Sequence, residues 1–180
     1  MLENTNCGCG KIILKSDRTV FYIRIVYNEI VEKVQNCILT NICLVYHNDE
    51  ILVIERTKKD WPGLTFPGGH IEKDEDFDTA VKREVKEETG LTIRKPILCG
   101  IEEFKTETED RYLMFYYKTD KFSGKIKNSK EGKVFWIKRK DLKKYELSLD
   151  LERILKIMES DELSELIYYK KDGKWLSKIV

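Results

Sequence analysis

Apolar residues recur along this chain in short bursts, and the spacing within each burst predicts a conformation. "TVFYIRIVY" (Thr19–Tyr27), "CILTNICLVYH" (Cys37–His47) and "EILVIER" (Glu50–Arg56) are β-branched and aromatic, as strands are. The second and third are joined by a turn signal at Asn48–Glu50 and predict a hairpin. "TKKDWPGLTFPGG" (57–69) interrupts the pattern with two prolines and three glycines, so it reads as a loop, a short extended piece and a turn. Further strands are expected in Thr92–Phe104, Arg111–Thr119 and Lys133–Lys138.

Two segments change the period to that of a helix. Phe77, Ala80, Val81 and Val85 recur at three-and-four spacing and form one apolar stripe. Asp76 is placed to cap the N-terminus of that helix, and Gly90 to end it in the left-handed conformation glycine adopts cheaply. A second helix is expected over Leu149–Ser160, with Leu149, Leu151, Ile154, Leu155 and Ile157 as its apolar surface. The last stretch, 165–180, reads as a hairpin or a helix-to-strand element turning at Asp172–Gly173. Mixed strands with two amphipathic helices indicate an α/β or α+β fold, one helix covering each face of a sheet.

A length of 180 residues suits a single domain with a real core. Three parts are expected within it: an N-terminal β extension over 1–36, a core over 37–145, and a C-terminal helix and hairpin over 146–180. The apolar residues on both faces of Thr19–Tyr27 suit a strand added to the sheet or a homodimer contact. Charged residues make up 36% of the chain yet leave a net charge of only +1, which excludes a chain-wide polycation built for nucleic acid. The lysine-rich stretch 118–144 reads first as solvated surface. No apolar run approaches the roughly 18–20 residues of a membrane span, and the N-terminus lacks the regions of a signal peptide, so a cytoplasmic protein is expected. Five cysteines, with no second close pair after Cys7 and Cys9, suit free thiols better than a zinc site or disulfide framework.

The unusual chemistry lies at the end of the first helix. Residues three and four apart share a helical face, so Glu84, Glu87 and Glu88 are expected to converge there. They crowd the last turns, where the helix dipole already disfavours anions. An ordinary surface helix could balance them by pairing Arg83 with Glu87. Several carboxylate oxygens beside a glycine turn also suit a hard divalent cation such as Mg²⁺ or Mn²⁺, which commonly bridges to substrate phosphates.

These residues complete a longer pattern. Gly69, Glu75 and Arg83-Glu84-Val85-Lys86-Glu87-Glu88-Thr89-Gly90-Leu91 match all nine specified positions of the Nudix box, G-x5-E-x7-R-E-U-x-E-E-x-G-U, across residues 69–91. The chain therefore resembles the Nudix hydrolases, and the wider likeness runs from about Ile38 to Leu142. The resemblance implies an α/β/α sandwich with a mixed β-sheet, the box forming a loop–helix–loop. It implies that Glu84, Glu87 and Glu88 are metal ligands or the water-activating base, with the Gly68 carbonyl completing the metal shell. Arg83 would orient the carboxylates and Glu75 would steady it, while Glu131, just before the "VFWI" strand, would add a further catalytic acid.

Within that family the expected reaction is MutT-like: a nucleoside triphosphate, including an oxidised guanine nucleotide, cut to the monophosphate and pyrophosphate. Nucleotide sugars, dinucleoside polyphosphates and capped RNA ends are alternative substrates. A non-catalytic nucleotide-binding module is a further alternative, disfavoured because the box keeps every carboxylate. Trp61, Phe66 and Trp136 are aromatic candidates for stacking on a base.

Overall fold

The computed structural model describes residues 35–56, 62–108 and 110–180. The expected strand Thr19–Tyr27, the rest of the N-terminal extension before residue 35, Cys7, Cys9 and Trp61 lie outside the described residues.

The first two strands, β1 (Cys37–His47) and β2 (Glu50–Arg56), form the expected hairpin, with Asn48 at a positive φ of 53° in its turn. Asparagine tolerates that conformation better than most residues. The loop region that follows carries β3 (Gly63–Thr65) and β4 (Gly68–His70), then helix α1 (Phe77–Thr89). The chain continues through β5 (Thr92–Ile93), β6 (Ile97–Lys105), β7 (Arg111–Thr119), β8 (Phe122–Ser123) and β9 (Gly132–Lys138). A 3₁₀ turn (Arg139–Lys144) leads to α2 (Leu151–Glu159) and a hairpin of β10 (Glu165–Lys171) and β11 (Lys174–Ile179). The single strand expected over Thr92–Phe104 is thus two, separated at Lys95, whose φ is 49°, and Pro96.

The main sheet runs β11-β10-β6-β7-β1-β2-β3, with β4 also paired to β1 and β9 to β2. It is mixed: β1 with β7 and β6 with β10 are parallel, and the other pairs are antiparallel. One edge of β1 pairs with β7 throughout Cys37–Val45. Its other edge changes partner, from β4 at Thr40–Ile42 to β2 at Tyr46–His47. That fork separates β4 from β2 and β3, and a cavity opens there.

Alternation along the strands divides the core in two. Ile42, Leu44, Ile51 and Val53 join Leu151, Ile154, Leu155, Ile157 and Met158 on the α2 side. Their neighbours Cys43, Val45, Leu52 and Ile54 join Val81 and Val85 on the α1 side. Burial on both faces explains why these strands read as continuous apolar runs. The result is the expected α/β/α layering.

Helix α1 begins and ends where its sequence says. Asp76 accepts hydrogen bonds from Thr79 N and Oγ1, both at 2.8 Å. Gly90 has φ 81°, and its N–H reaches Lys86 O. Two positions of the expected apolar stripes are corrected. Phe77 is 41% exposed and packs on Phe115, ring centroids 4.7 Å apart; as the first residue of α1 it lies outside both core clusters. Leu149 is 67% exposed and precedes α2, which starts after Asp150 takes a left-handed φ of 57°. Met158 is the buried helical residue that the pattern missed. Cys43 and Cys99 carry free thiols, as expected.

Ile157 is fully buried against Gly100, where an added Cβ would lie 2.6 Å from its Cγ2. Ile157→Ala should therefore destabilise the protein by about 2–4 kcal/mol, read from urea denaturation midpoints. A loss below about 1 kcal/mol would mean that α2 is not part of the core.

Candidate active site

Four carboxylates and an arginine fork organise the C-terminal half of α1. Arg83 donates from Nε and Nη2 to the two oxygens of Glu75, both at 2.9 Å, a bidentate pair. Its Nη1 donates to Glu84 Oε1 at 2.8 Å, and Nη2 also reaches His70 O at 3.0 Å. One guanidinium thereby ties the end of β4, the loop before α1 and a helical carboxylate together. The Arg83 hydrogen bond holds the Glu75 carboxyl below its usual range.

Glu84 lies under Gly69. A Cβ at Gly69 would fall 2.6 Å from the Glu84 carboxylate, so any side chain there would push that carboxylate from its place. Glu88, one turn on, accepts a hydrogen bond from Gly68 N at 2.9 Å. At Gly68 an added Cβ would strike Asn41 O at 2.2 Å, so the close approach of β4 to β1 demands glycine there too.

Glu87 departs from the convergence expected of the three glutamates. Its side chain is 61% exposed, 3.5 Å from Arg83 Nη1, and it does not line the cavity. The helical wheel placed it on the shared face, but Glu84 and Glu88 alone, one turn apart, point into the fork. Glu131 takes the third place. The turn before β9 packs tightly on β2, with Arg56 opposite Gly132, and this carries Glu131 to 3.6 Å from Arg56 Nη2.

Glu84, Glu88, Glu131, Arg56, Gly68 and Gly69 all line one cavity of about 420 Å³. Burial pushes the Glu88 carboxyl up from 4.5 to about 7; the Gly68 N–H opposes this, and the charges of Glu84 and Glu131 add to it. Burial is the main cause, and the neighbouring anions add to it despite Arg56. An all-oxygen donor set of this kind fits a hard divalent cation. Among the described residues, no three carboxylate, imidazole or thiolate groups are already drawn to ligand distance, because Arg83 holds Glu84 and Gly68 holds Glu88.

Sequence reasoning missed two residues here. Arg56 ends β2 with its Nε buried and without a hydrogen-bond partner. Asn41, 2% exposed, interrupts the apolar run of β1, and both polar atoms of its amide lack partners. A lone amide in "ILTNICLV" and an arginine closing "EILVIER" were the available signals. Of the proposed stacking residues, Phe66 is 1% exposed and lines the cavity from within the core. Trp136 packs on Phe122, ring centroids 5.2 Å apart, in the α1-side core.

The architecture and this box helix agree with the comparisons. The NUDIX domain model matches residues 39–157, and the chain belongs to that family. The Nudix hydrolase YvcI of Bacillus subtilis is 31% identical over 58% of this chain and 65% of its own length. An ADP-ribose pyrophosphatase of Methanocaldococcus jannaschii is 30% identical over 63% of this chain and 68% of its own. Among solved structures, the MutT protein of Bacillus halodurans superposes with a TM-score of 0.65 at 27% identity, covering 79% of this chain and 97% of that one. The chain thus spans just under two thirds of the length of the B. subtilis relative.

The raised Glu88 carboxyl has a testable consequence. Its folded pKa lies above its unfolded value, so the folded state holds this proton more tightly, and stability contributed by Glu88 falls as pH rises from about 4.5 to about 7. In chelator, Glu88→Gln should remove that part of the decline between pH 5 and 7.5, as thermal melts of both proteins would show. Parallel pH profiles for the two proteins would contradict it.

Proposed function

We propose that this protein is a divalent-metal-dependent pyrophosphohydrolase that cleaves the diphosphate linkage of a nucleoside diphosphate derivative. The observation that carries this reading is the single cavity shared by Glu84, Glu88, Glu131 and Arg56, braced by Arg83 and Glu75. Glu84 and Glu88, with the Gly68 carbonyl, would hold Mg²⁺ or Mn²⁺, and Glu87 at the rim is available to a second cation. Such a cation neutralises phosphate charge and lowers the pKa of a bound water.

The protein's own residues account for the rest. Arg83 fixes the Glu84 carboxylate by holding one oxygen, leaving the other to face the cavity. Arg56 offers a guanidinium with a buried, unpaired Nε to a phosphate oxygen, the planar recognition that arginine provides. Glu131, beside Arg56, accepts the proton as water attacks phosphorus and the P–O bond of the diphosphate breaks. A wall of buried Thr40 and Ile154 and half-buried Tyr112 and Met114 keeps bulk water from the reacting phosphates.

For the substrate we favour a nucleoside triphosphate, including an oxidised guanine nucleotide, going to the monophosphate and pyrophosphate. The likeness to a MutT protein supports this. A nucleoside diphosphate joined to a sugar is the second reading, supported by the archaeal ADP-ribose pyrophosphatase relative. Nothing in this reading requires a membrane, and no helix among the described residues is long and apolar enough to cross one.

Incubation of nucleoside triphosphates, ADP-ribose, dinucleoside polyphosphates and capped RNA with Mg²⁺, with products separated by ion-exchange chromatography, tests the reading. A nucleoside monophosphate plus pyrophosphate is expected from the triphosphates. Absence of any diphosphate cleavage would return the protein to a binding module. Glu131→Gln should lower turnover roughly 10²–10⁴-fold with little change in melting temperature. A loss under about threefold would make Glu131 a loop residue without a proton-transfer role.

A further inference from the structure

A second cavity, of about 380 Å³, lies between β6 and the β10–β11 hairpin, walled by Phe104, Tyr168 and Trp175 and touched by Glu102 and Leu149. It adjoins the carboxylate cavity, because Leu149 lines both. An aromatic row also connects them. Tyr112, from the first cavity, stacks on Phe104 with ring centroids 4.7 Å apart and planes at 15°, and Phe104 meets Tyr168 edge-on at 6.1 Å. Tyr168 and Trp175 lie beyond residues 39–157, so the hairpin adds this wall to the family domain.

Large apolar side chains are left exposed around this cavity. Trp175 is 48% exposed and Leu149 67%. Large apolar groups left in water around a concave site mark a place for a ligand. Of the polar side chains that line it, Glu102, Lys105, Thr106 and Glu107, Glu102 alone is buried. Glu102, 5% exposed, accepts a hydrogen bond from the Tyr116 hydroxyl at 2.6 Å, which fixes its orientation. Burial pushes this carboxyl up, against the lowering effect of Tyr116, so an N–H donor arriving from a ligand would stabilise the anion. Tyr168 is held in turn by donating to Asp150, which also accepts from Arg153 Nη1 at 3.1 Å.

We propose that this aromatic cavity is the subsite for the nucleobase of a substrate whose diphosphate occupies the carboxylate cavity. The base stacks on Trp175 and Phe104, and an N–H on its edge is accepted by Glu102. Aromatic faces take any planar ring, and the carboxylate favours purines that present an amino or imino N–H. An alkyl chain would fill the space but bring Glu102 no donor beyond the Tyr116 hydroxyl. The inference rests on the hydrolase reading for the position of the phosphates, not for the recognition of the base.

Binding measured in chelator separates the two. Titration calorimetry of the full chain with guanosine and adenosine 5′-monophosphates, and with ribose 5-phosphate as the base-free probe, reads the subsite without hydrolysis. Trp175→Ala and Glu102→Gln should each weaken nucleoside monophosphate binding, the stacking loss being roughly 5- to 100-fold. Ribose 5-phosphate binding should be unchanged in both. Trp175→Phe should restore nucleotide binding to within about threefold, which a variant damaged in folding would not do. Wild-type binding of the nucleotides no tighter than ribose 5-phosphate, or variants that bind them like wild type, would overturn the proposal. If these losses appear while the wild type cleaves no polyphosphate in Mg²⁺, the hydrolase reading fails and the base subsite stands.

Discussion

The site depends on one guanidinium. Arg83 is the point where the β4 turn, the loop carrying Glu75 and the carboxylate of Glu84 meet, and each contact uses a different part of its planar fork. A lysine in its place would keep the charge and lose the simultaneous contacts, because an ammonium has no fixed fork. Arg83 also answers the crowding of glutamates at a helix C-terminus. It pairs with the carboxylates on one side and leaves Glu88 on the other, where burial chiefly, and the charges of Glu84 and Glu131 in addition, push its carboxyl up. The helix is therefore stable enough to fold and still short of positive charge where phosphates and a cation would bind.

The sheet makes room for that arrangement. Because β1 gives one edge to β7 throughout and shares the other between β4 and β2, the sheet splits without losing its backbone pairing. Gly68 and Gly69 sit in the split, and their missing side chains let β1 and Glu84 approach β4. The two-sided core, with α1 on one face and α2 on the other, holds both arms of the fork in place. A cavity built this way is positioned by regular strands and a capped helix, which suits precise placement of reacting groups.

Much of this was legible in the chain where local chemistry decides. The caps of α1, Asp76 and Gly90, act through neighbours within a few residues, and the β1–β2 hairpin is set by its own turn. Pairings that join distant residues were not legible: Cys37 lies beside Arg111 in a parallel pair that no local pattern encodes. The same limit explains the site. A helical wheel groups Glu84, Glu87 and Glu88, but only the position of Arg83 and the β4 turn shows that Glu87 faces outward. Arg56 and Asn41 sit on strands whose periodicity announced core, so their polar atoms drew no notice. Leu149 counted as helical by spacing, yet the left-handed Asp150 delays α2 until Leu151.

The central claim is that the carboxylate cavity is a cation site held in shape by Arg83. Electron paramagnetic resonance of Mn²⁺ titrated into the protein without nucleotide tests it most directly, comparing wild type with Glu84→Gln, Glu88→Gln and Arg83→Ala. The wild type should remove free Mn²⁺ from the spectrum. The two glutamine variants should weaken that binding at least tenfold, and Arg83→Ala should weaken it measurably while the protein stays folded, because a misplaced carboxylate binds less well. Equal Mn²⁺ binding by the wild type and both glutamine variants would contradict the account.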